Sequence, residues 1–122
     1  MLTELFEALS TRLSALDAPL YLADCVPAGA AFPYLTATMS TPLTPDAAGA
    51  LTLTLWCHGD AANTERFRLS ETLAEHLPAR GLRLSLPSGA CTMRLKSGPT
   101  PLSSQEALGM KTVWALRCYP SE

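Results

Sequence analysis

An unbroken alternation of leucine and threonine in ALTLTLWC, residues 50–57, most limits what this chain can fold into. The leucines at 51, 53 and 55 fall on one side of an extended chain, and the threonines and Trp56 fall on the other. A period of two residues predicts a β-strand with one buried face. The preceding run YLTATMST, residues 34–41, has strand composition and is the expected antiparallel partner.

Other segments repeat the strand pattern. They are LYL at 20–22, LRLSLP at 82–87, CTMRLKSG at 91–98 and ALGMKTVWALRCYP at 107–120. The last is the longest, and its mixed faces indicate a central position in a sheet or a second covered face. We expect Gly98, Pro99 and Pro101 to break the chain before it. The two prolines in PLTPDAAG, residues 42–49, predict an exposed, mobile loop.

Two segments have helical periodicity. Leucines at 2, 5, 9, 13 and 16, with Phe6, recur at steps of three and four and predict an N-terminal amphipathic helix that Pro19 ends. A second helix from about Ala62 carries an apolar stripe that includes Phe67, Leu69, Leu73 and Leu77. We therefore predict one α+β domain, residues 1–122, with two helices packed on a mostly antiparallel sheet of about five strands.

The charges are unevenly distributed along the chain. The first 78 residues hold nine acids and three bases, and residues 79–122 hold two acids and six bases. Such a split predicts complementary surfaces used head to tail between identical subunits, unless the two halves interleave in space and the asymmetry averages out. The net charge of −2 is too small to indicate nucleic-acid binding, and no specific nucleic acid is expected as a partner.

Composition and the N-terminus indicate the compartment. Apolar residues make up 48% of the chain, an excess typical of surfaces that are buried against partners. No apolar stretch reaches the ~20 residues that a membrane-spanning helix needs. The N-terminus lacks the basic start of a secretory signal, so we expect a cytoplasmic protein with no membrane partner and four reduced thiols.

Cys57, His58 and Asp60 lie close together in sequence and are the obvious candidates for a reactive centre. Neighbours in a strand point to opposite faces, so they do not converge on one metal without further ligands. The same geometry argues against a Cys57–His58 nucleophile pair. We interpret Cys57 as a core residue, His58 as a turn residue and Asp60 as a helix cap, and we expect no catalytic site, no metal site and no cofactor.

No glycine-rich phosphate loop is present in the sequence. Arg83, Arg94 and Lys96 form a basic stripe without interleaved aromatic residues, which favours a solvated strand face or the rim of an interface.

The order of the predicted elements is helix, strands, helix, strands. Together with D-x-V-P-x-G at 24–29 and F-P-Y-L at 32–35, it resembles the tail terminator or tail completion proteins of long-tailed bacteriophages, also called tail-to-head joining proteins. The resemblance implies a structural subunit of a phage or prophage, with no catalytic residues. It also implies a hexameric ring that caps the tail tube.

The resemblance implies three partners, each bound through a surface of the subunit. They are other copies of the chain, the tail tube protein and the head connector protein. The free protein is expected to be a monomer. The expected interface residues are Thr44, Pro45 and Asp46 in the loop and Arg94 and Lys96 on a strand. The expected location is the host cytoplasm during assembly and then the tail-head junction of the virion. Alternatives are a head-closure protein or a thiol or metal enzyme that uses Cys57 and His58.

Overall fold

Helices and strands follow one another in the order that the sequence predicts. The computed structural model describes residues 2–16, 18–40, 49–58, 63–103 and 107–120. Helix α1 spans Leu2–Arg12, and one turn of 3-10 helix follows at Ser14–Leu16. The other elements are β1 Leu20–Leu22, β2 Tyr34–Ser40, β3 Gly49–His58, α2 Asn63–His76, β4 Leu82–Leu86, β5 Gly89–Ser103 and β6 Ala107–Pro120. The α+β class is confirmed. In the described part of the chain, no helix is both long enough and apolar enough to cross a membrane.

The strands form one six-stranded sheet in the order β1-β2-β3-β6-β5-β4. All neighbours are antiparallel except β1 and β2, which pair in parallel from Leu20↔Leu35 to Leu22↔Ala37. The prediction of a mostly antiparallel sheet is confirmed, and the short β1 raises the expected count of about five strands to six. The long β6 lies between β3 and β5, in the central position that its mixed faces predict.

The core lies between the helices and one face of the sheet, which we call the inner face. The residues at 51, 53, 55 and 57 of β3 are all at most 1% exposed. Across the ladder they pair with Trp114, Thr112, Met110 and Leu108 of β6, and paired residues of an antiparallel sheet point to the same face. The hydroxyl of Thr112 accepts a hydrogen bond from Trp114 Nε1 at 2.8 Å and donates to the Leu53 carbonyl at 3.4 Å, which satisfies the polar groups inside this core.

Helix α1 packs its leucines on the inner face, as its periodicity predicts. Leu5, Leu9 and Leu13 are buried. Two polar contacts fix its ends. The Ser88 N–H donates to Glu4 Oε1 at 2.8 Å, and Arg12 Nε donates to the carbonyl of His76 at 2.6 Å. The second bond places a cation at the C-terminus of α2, where the carbonyls of the last turn lack helical partners.

Helix α2 buries a narrower stripe than the sequence predicts. Leu69, Leu73 and Leu77 are buried, but Phe67 is 45% exposed and Arg66 is buried in its place. The Arg66 guanidinium carbon lies 5.1 Å from the centre of the Phe67 ring. Arginine buries its methylene stem readily and stacks on aromatic rings, so a helical wheel misjudges both positions.

The predicted break at Gly98, Pro99 and Pro101 is wrong, because β5 continues through all three residues. Its ladder with β6 shifts register between Leu95 and Ser97 and again between Ser97 and Thr100. Strand β4 pairs β5 only from Gly89 to Met93. The Leu95 N–H still donates to the Ala79 carbonyl at 3.2 Å. Beyond it no described strand pairs with that side of β5, and on such an edge the missing N–H of a proline costs no ladder hydrogen bond.

Candidate interaction surfaces

The outer face of the sheet is the face opposite the helices. On β4, β5 and β6 it is basic. The ladder places Arg83, Thr92 and Arg117 in one row across the three strands, because Thr92 is the direct partner of both arginines. Arg94 follows two residues along β5 and so points to the same face. Arg83 and Arg117, which are 34 positions apart in sequence, therefore share one surface through strand pairing.

A concavity of about 750 Å3 lies over this part of the sheet. Its charged lining consists of Arg80, Arg83, Arg94 and Arg117, which we call the basic surface, and all four are exposed. The sequences of β4, β5 and β6 contain no acidic residue. Guanidinium groups offer paired donors that match carboxylates and phosphates, so this surface is suited to an anionic partner.

The other half of the outer face, on β2 and β3, is aromatic. Tyr34 stacks on Phe32 with ring centres 5.1 Å apart, and Tyr21 meets Tyr34 edge to face at 5.9 Å. Trp56 pairs with Tyr34 across the ladder, and its Nε1 donates to the Thr36 hydroxyl at 3.2 Å. These four rings, the aromatic cluster, are all partly buried, so they stabilise this end of the sheet and keep partial access to solvent.

A groove of about 520 Å3 opens at the β1 end of the sheet. Phe6, Leu22 and Met39 give it an apolar lining, and Asp24 stands in it with an exposed side chain. The Asp24 carboxylate raises the pKa of the neighbouring Cys25 thiol, because a nearby negative charge disfavours the thiolate. We call this region the apolar groove. The charged residue of its lining is the acidic Asp24, whereas the surface at the β4 end is lined by arginines.

The five predicted interface residues divide into two groups. Arg94 belongs to the basic surface. Lys96 is exposed on β5, within the segment where the register with β6 shifts. Thr44, Pro45 and Asp46, with the whole predicted loop at 42–49 except Gly49, lie outside the described residues.

Two arginines of the basic surface, Arg80 and Arg117, were not predicted from the sequence as interface residues. Arg117 lies near the end of β6, where it follows the alternation of Val113 and Ala115, and that alternation was the available signal. Arg80 precedes β4 in a turn. Arg80 is near Arg83 in the chain, whereas only the register of β4, β5 and β6 brings Arg117 beside Arg83 and Arg94.

The segment around Cys57 is a strand end. Cys57 is 1% exposed on the inner face, so its sulfur is shielded from solvent. His58 is the last residue of β3, and its side chain and Asp60 are outside the described residues. Among the side chains that the structure describes, no group of three or more His, Cys, Asp or Glu residues is placed to hold a metal ion.

Comparison with known proteins supports the fold alone. No family model and no curated protein matches the sequence. One solved chain, known only by a sequence identifier, superposes with a TM-score of 0.59 at 14% identity, over 98% of this chain and 94% of that chain. At this identity the likeness shows that the same arrangement of helices and sheet occurs in another protein, and it carries no function.

Proposed function

We propose that this protein is a structural assembly subunit whose copies associate head to tail. More narrowly, we propose a tail terminator of a phage or prophage that forms a hexameric ring, caps the tail tube and contacts the head connector protein. The observation that carries the proposal is the chemistry of the two sheet ends. The apolar groove with Asp24 lies at the β1 end, and the basic surface with Arg83 lies at the β4 end.

The geometry of the two ends favours a repeating contact. Among the described strands, β1 and β4 each have a neighbour on one side only. Strand edges of this kind present unpaired N–H and C=O groups, which a second chain can cover. Because the two ends belong to different strands, a contact between them is heterologous. Repetition of a heterologous contact generates a ring when the rotation closes.

Charge gives the contact its polarity. Arg80 and Arg83 flank the β4 end, while Asp24 stands at the β1 end. Opposite charges steer the two ends together and oppose contacts of like ends. The exposed Glu71 and Glu75 belong to α2, which packs on β3 and β6 in the middle of the sheet.

The narrower proposal of a tail terminator is supported by the resemblance in element order and by the motifs at 24–35. A head-closure protein is the alternative within the same class. In either case the protein would act in the host cytoplasm during assembly and then at the tail-head junction of the virion. Neither role needs a cofactor or a catalytic group.

The test of head-to-tail association uses reciprocal charge changes. We expect Asp24→Arg and Arg83→Glu each to reduce self-association at high protein concentration by at least tenfold, and the double variant to restore most of it. Glu71→Arg, which reverses an exposed charge on α2, is the matched control and should associate like the wild type. Sedimentation velocity and negative-stain microscopy measure the oligomers. Equal association in all four variants would contradict the contact.

The test of the narrower role uses a polymerising tail tube protein. A tail terminator should stop tube growth at one end and be seen there by microscopy, and a head-closure protein should bind isolated portal-containing heads instead. Binding to neither would leave the assembly contact standing and exclude the tail terminator.

A further inference from the structure

Two cysteines face each other across the longest strand pair of the sheet. Cys91 of β5 and Cys118 of β6 are direct partners in the antiparallel ladder. Their sulfur atoms lie 3.5 Å apart, within hydrogen-bonding distance for thiols. All four cysteines of the chain are free thiols in the structure. The pair is remote from Cys57 in sequence and plays no part in the proposed assembly contact.

The backbone already has the geometry of a disulfide. Directly opposed residues of antiparallel strands have Cα atoms about 4.5–5.5 Å apart, and disulfides join Cα atoms that are about 4.4–6.8 Å apart. A covalent S–S bond is about 2.0 Å long, so the sulfurs need to approach by only about 1.5 Å. Side-chain rotation supplies that movement, and β5 and β6 keep their register.

The two thiols differ in access to solvent. Cys91 is fully buried, whereas Cys118 is partly exposed. Burial, and next the hydrogen bond with Cys118, raise the pKa of the Cys91 thiol to about 12, so it stays protonated at neutral pH. An oxidant from solvent therefore meets Cys118 first, and Cys91 is positioned behind it as the second sulfur.

We propose that Cys91 and Cys118 form a redox-responsive pair that a peroxide converts into an intramolecular disulfide. The Cys118 sulfur attacks one peroxide oxygen, the O–O bond breaks, and water and a sulfenic acid are formed. The Cys91 sulfur then attacks the sulfenic sulfur. An S–S bond forms, the S–O bond breaks, and the Cys91 proton leaves with the hydroxyl as water. The two sulfurs lose two electrons, and hydrogen peroxide gains them and ends as two waters.

The bridge would lock β5 to β6 near the end where β4 also pairs with β5. A cross-link restricts the unfolded chain between the two cysteines and thereby stabilises the folded state. The oxidised protein should melt higher than the reduced protein, by on the order of 10 °C, and a dithiol reductant should reverse the shift.

The experiment exposes the folded full chain to graded hydrogen peroxide, blocks the remaining thiols in denaturant with an alkylating reagent and maps the peptides by mass spectrometry. The exposed Cys25 reports whether the peroxide dose was sufficient. We expect Cys91 and Cys118 to lose alkylation together, to appear as one linked peptide pair, and to recover after reduction. Cys25→Ser is the matched control and should keep the bridge.

Cys118→Ser should leave Cys91 open to alkylation at every dose. Two results would overturn the proposal. One is over-oxidation of Cys118 to sulfinic or sulfonic acid in the wild type while Cys91 still alkylates. The other is an unchanged Cys91 and Cys118 at a dose that fully oxidises Cys25. Both results are read in the wild-type chain, so they do not depend on the folding of a variant.

Discussion

Neighbouring residues of β3 meet opposite environments. Leu53 is 1% exposed beneath the helices, and Thr52, one residue earlier, is partly exposed on the outer face. The inner face is largely apolar, with the Thr112 hydroxyl buried among its side chains, whereas the outer face changes from aromatic on β2 and β3 to basic on β4, β5 and β6. Burial of apolar area supplies most of the folding free energy, so the inner face contributes most of the stability, and the exposed residues of the outer face are available for contacts with partners.

The same comparison separates the two ends of the sheet. At the β1 end an apolar groove carries Asp24, and at the β4 end exposed arginines line an open concavity. A molecule whose two ends differ in this way favours contacts between unlike ends over contacts between like ends. Changes of the exposed charged residues at the two ends should therefore alter association while leaving stability nearly unchanged.

The sharpest test of the difference between the two faces is to shorten neighbouring side chains of β3 to alanine. Leu53→Ala should lower the free energy of unfolding by about 2–5 kcal/mol, because it opens a cavity among residues that cannot fully collapse around it. Thr52→Ala, one residue away on the outer face, should cost less than about 1 kcal/mol. Urea unfolding followed by circular dichroism measures both. Similar losses of unfolding free energy in the two variants would show that the outer face of β3 is packed as tightly as the core.

A smaller effect is expected from the buried hydroxyl of the inner face. Thr112→Val removes the acceptor of the Trp114 indole N–H and should cost about 1–3 kcal/mol, since a buried donor is left without its partner. Thr38→Val, on the exposed outer face of β2, makes the same chemical change without burial and should be nearly neutral. Equal free energies of unfolding for the two variants would show that the indole finds another acceptor.

The smallest effect concerns the polar contact that joins α1 to the β4–β5 turn. The hydrogen bond from Ser88 lowers the pKa of the Glu4 carboxyl below its usual range. A lowered pKa in the folded state means that this contact stabilises the fold above the usual carboxyl pKa and is lost as pH falls through the lowered value.

Glu4→Gln should accordingly melt slightly lower than the wild type at pH 7, and the difference should disappear at a strongly acidic pH, where the wild-type carboxyl is also neutral. Glu7→Gln, which removes an exposed charge from the same helix, serves as the control. Thermal melts at the two pH values give the answer. A difference that persists at low pH would assign the effect to packing of the side chain instead of its charge.

Local pattern was sufficient to predict most of the fold. The alternation in β3 and β6 and the leucine spacing of α1 depend on residues near each other in sequence, and the structure has these elements within a few residues of the expected bounds. The pattern failed at two places where tertiary contacts override it. The prolines of β5 are tolerated because β4 ends before them, and Arg66 is buried with its guanidinium over the partly exposed Phe67 ring.

Sequence by itself determined that two amphipathic helices cover one face of a mostly antiparallel sheet, since periodicity follows from the geometry of each element alone. Tertiary structure decided the rest. The register between strands that are far apart in the chain decides which arginines share a surface. The same register brings Cys91 opposite Cys118. Register arises from the packing of the whole sheet against its helices, and a shift by one residue would send each of these side chains to the other face.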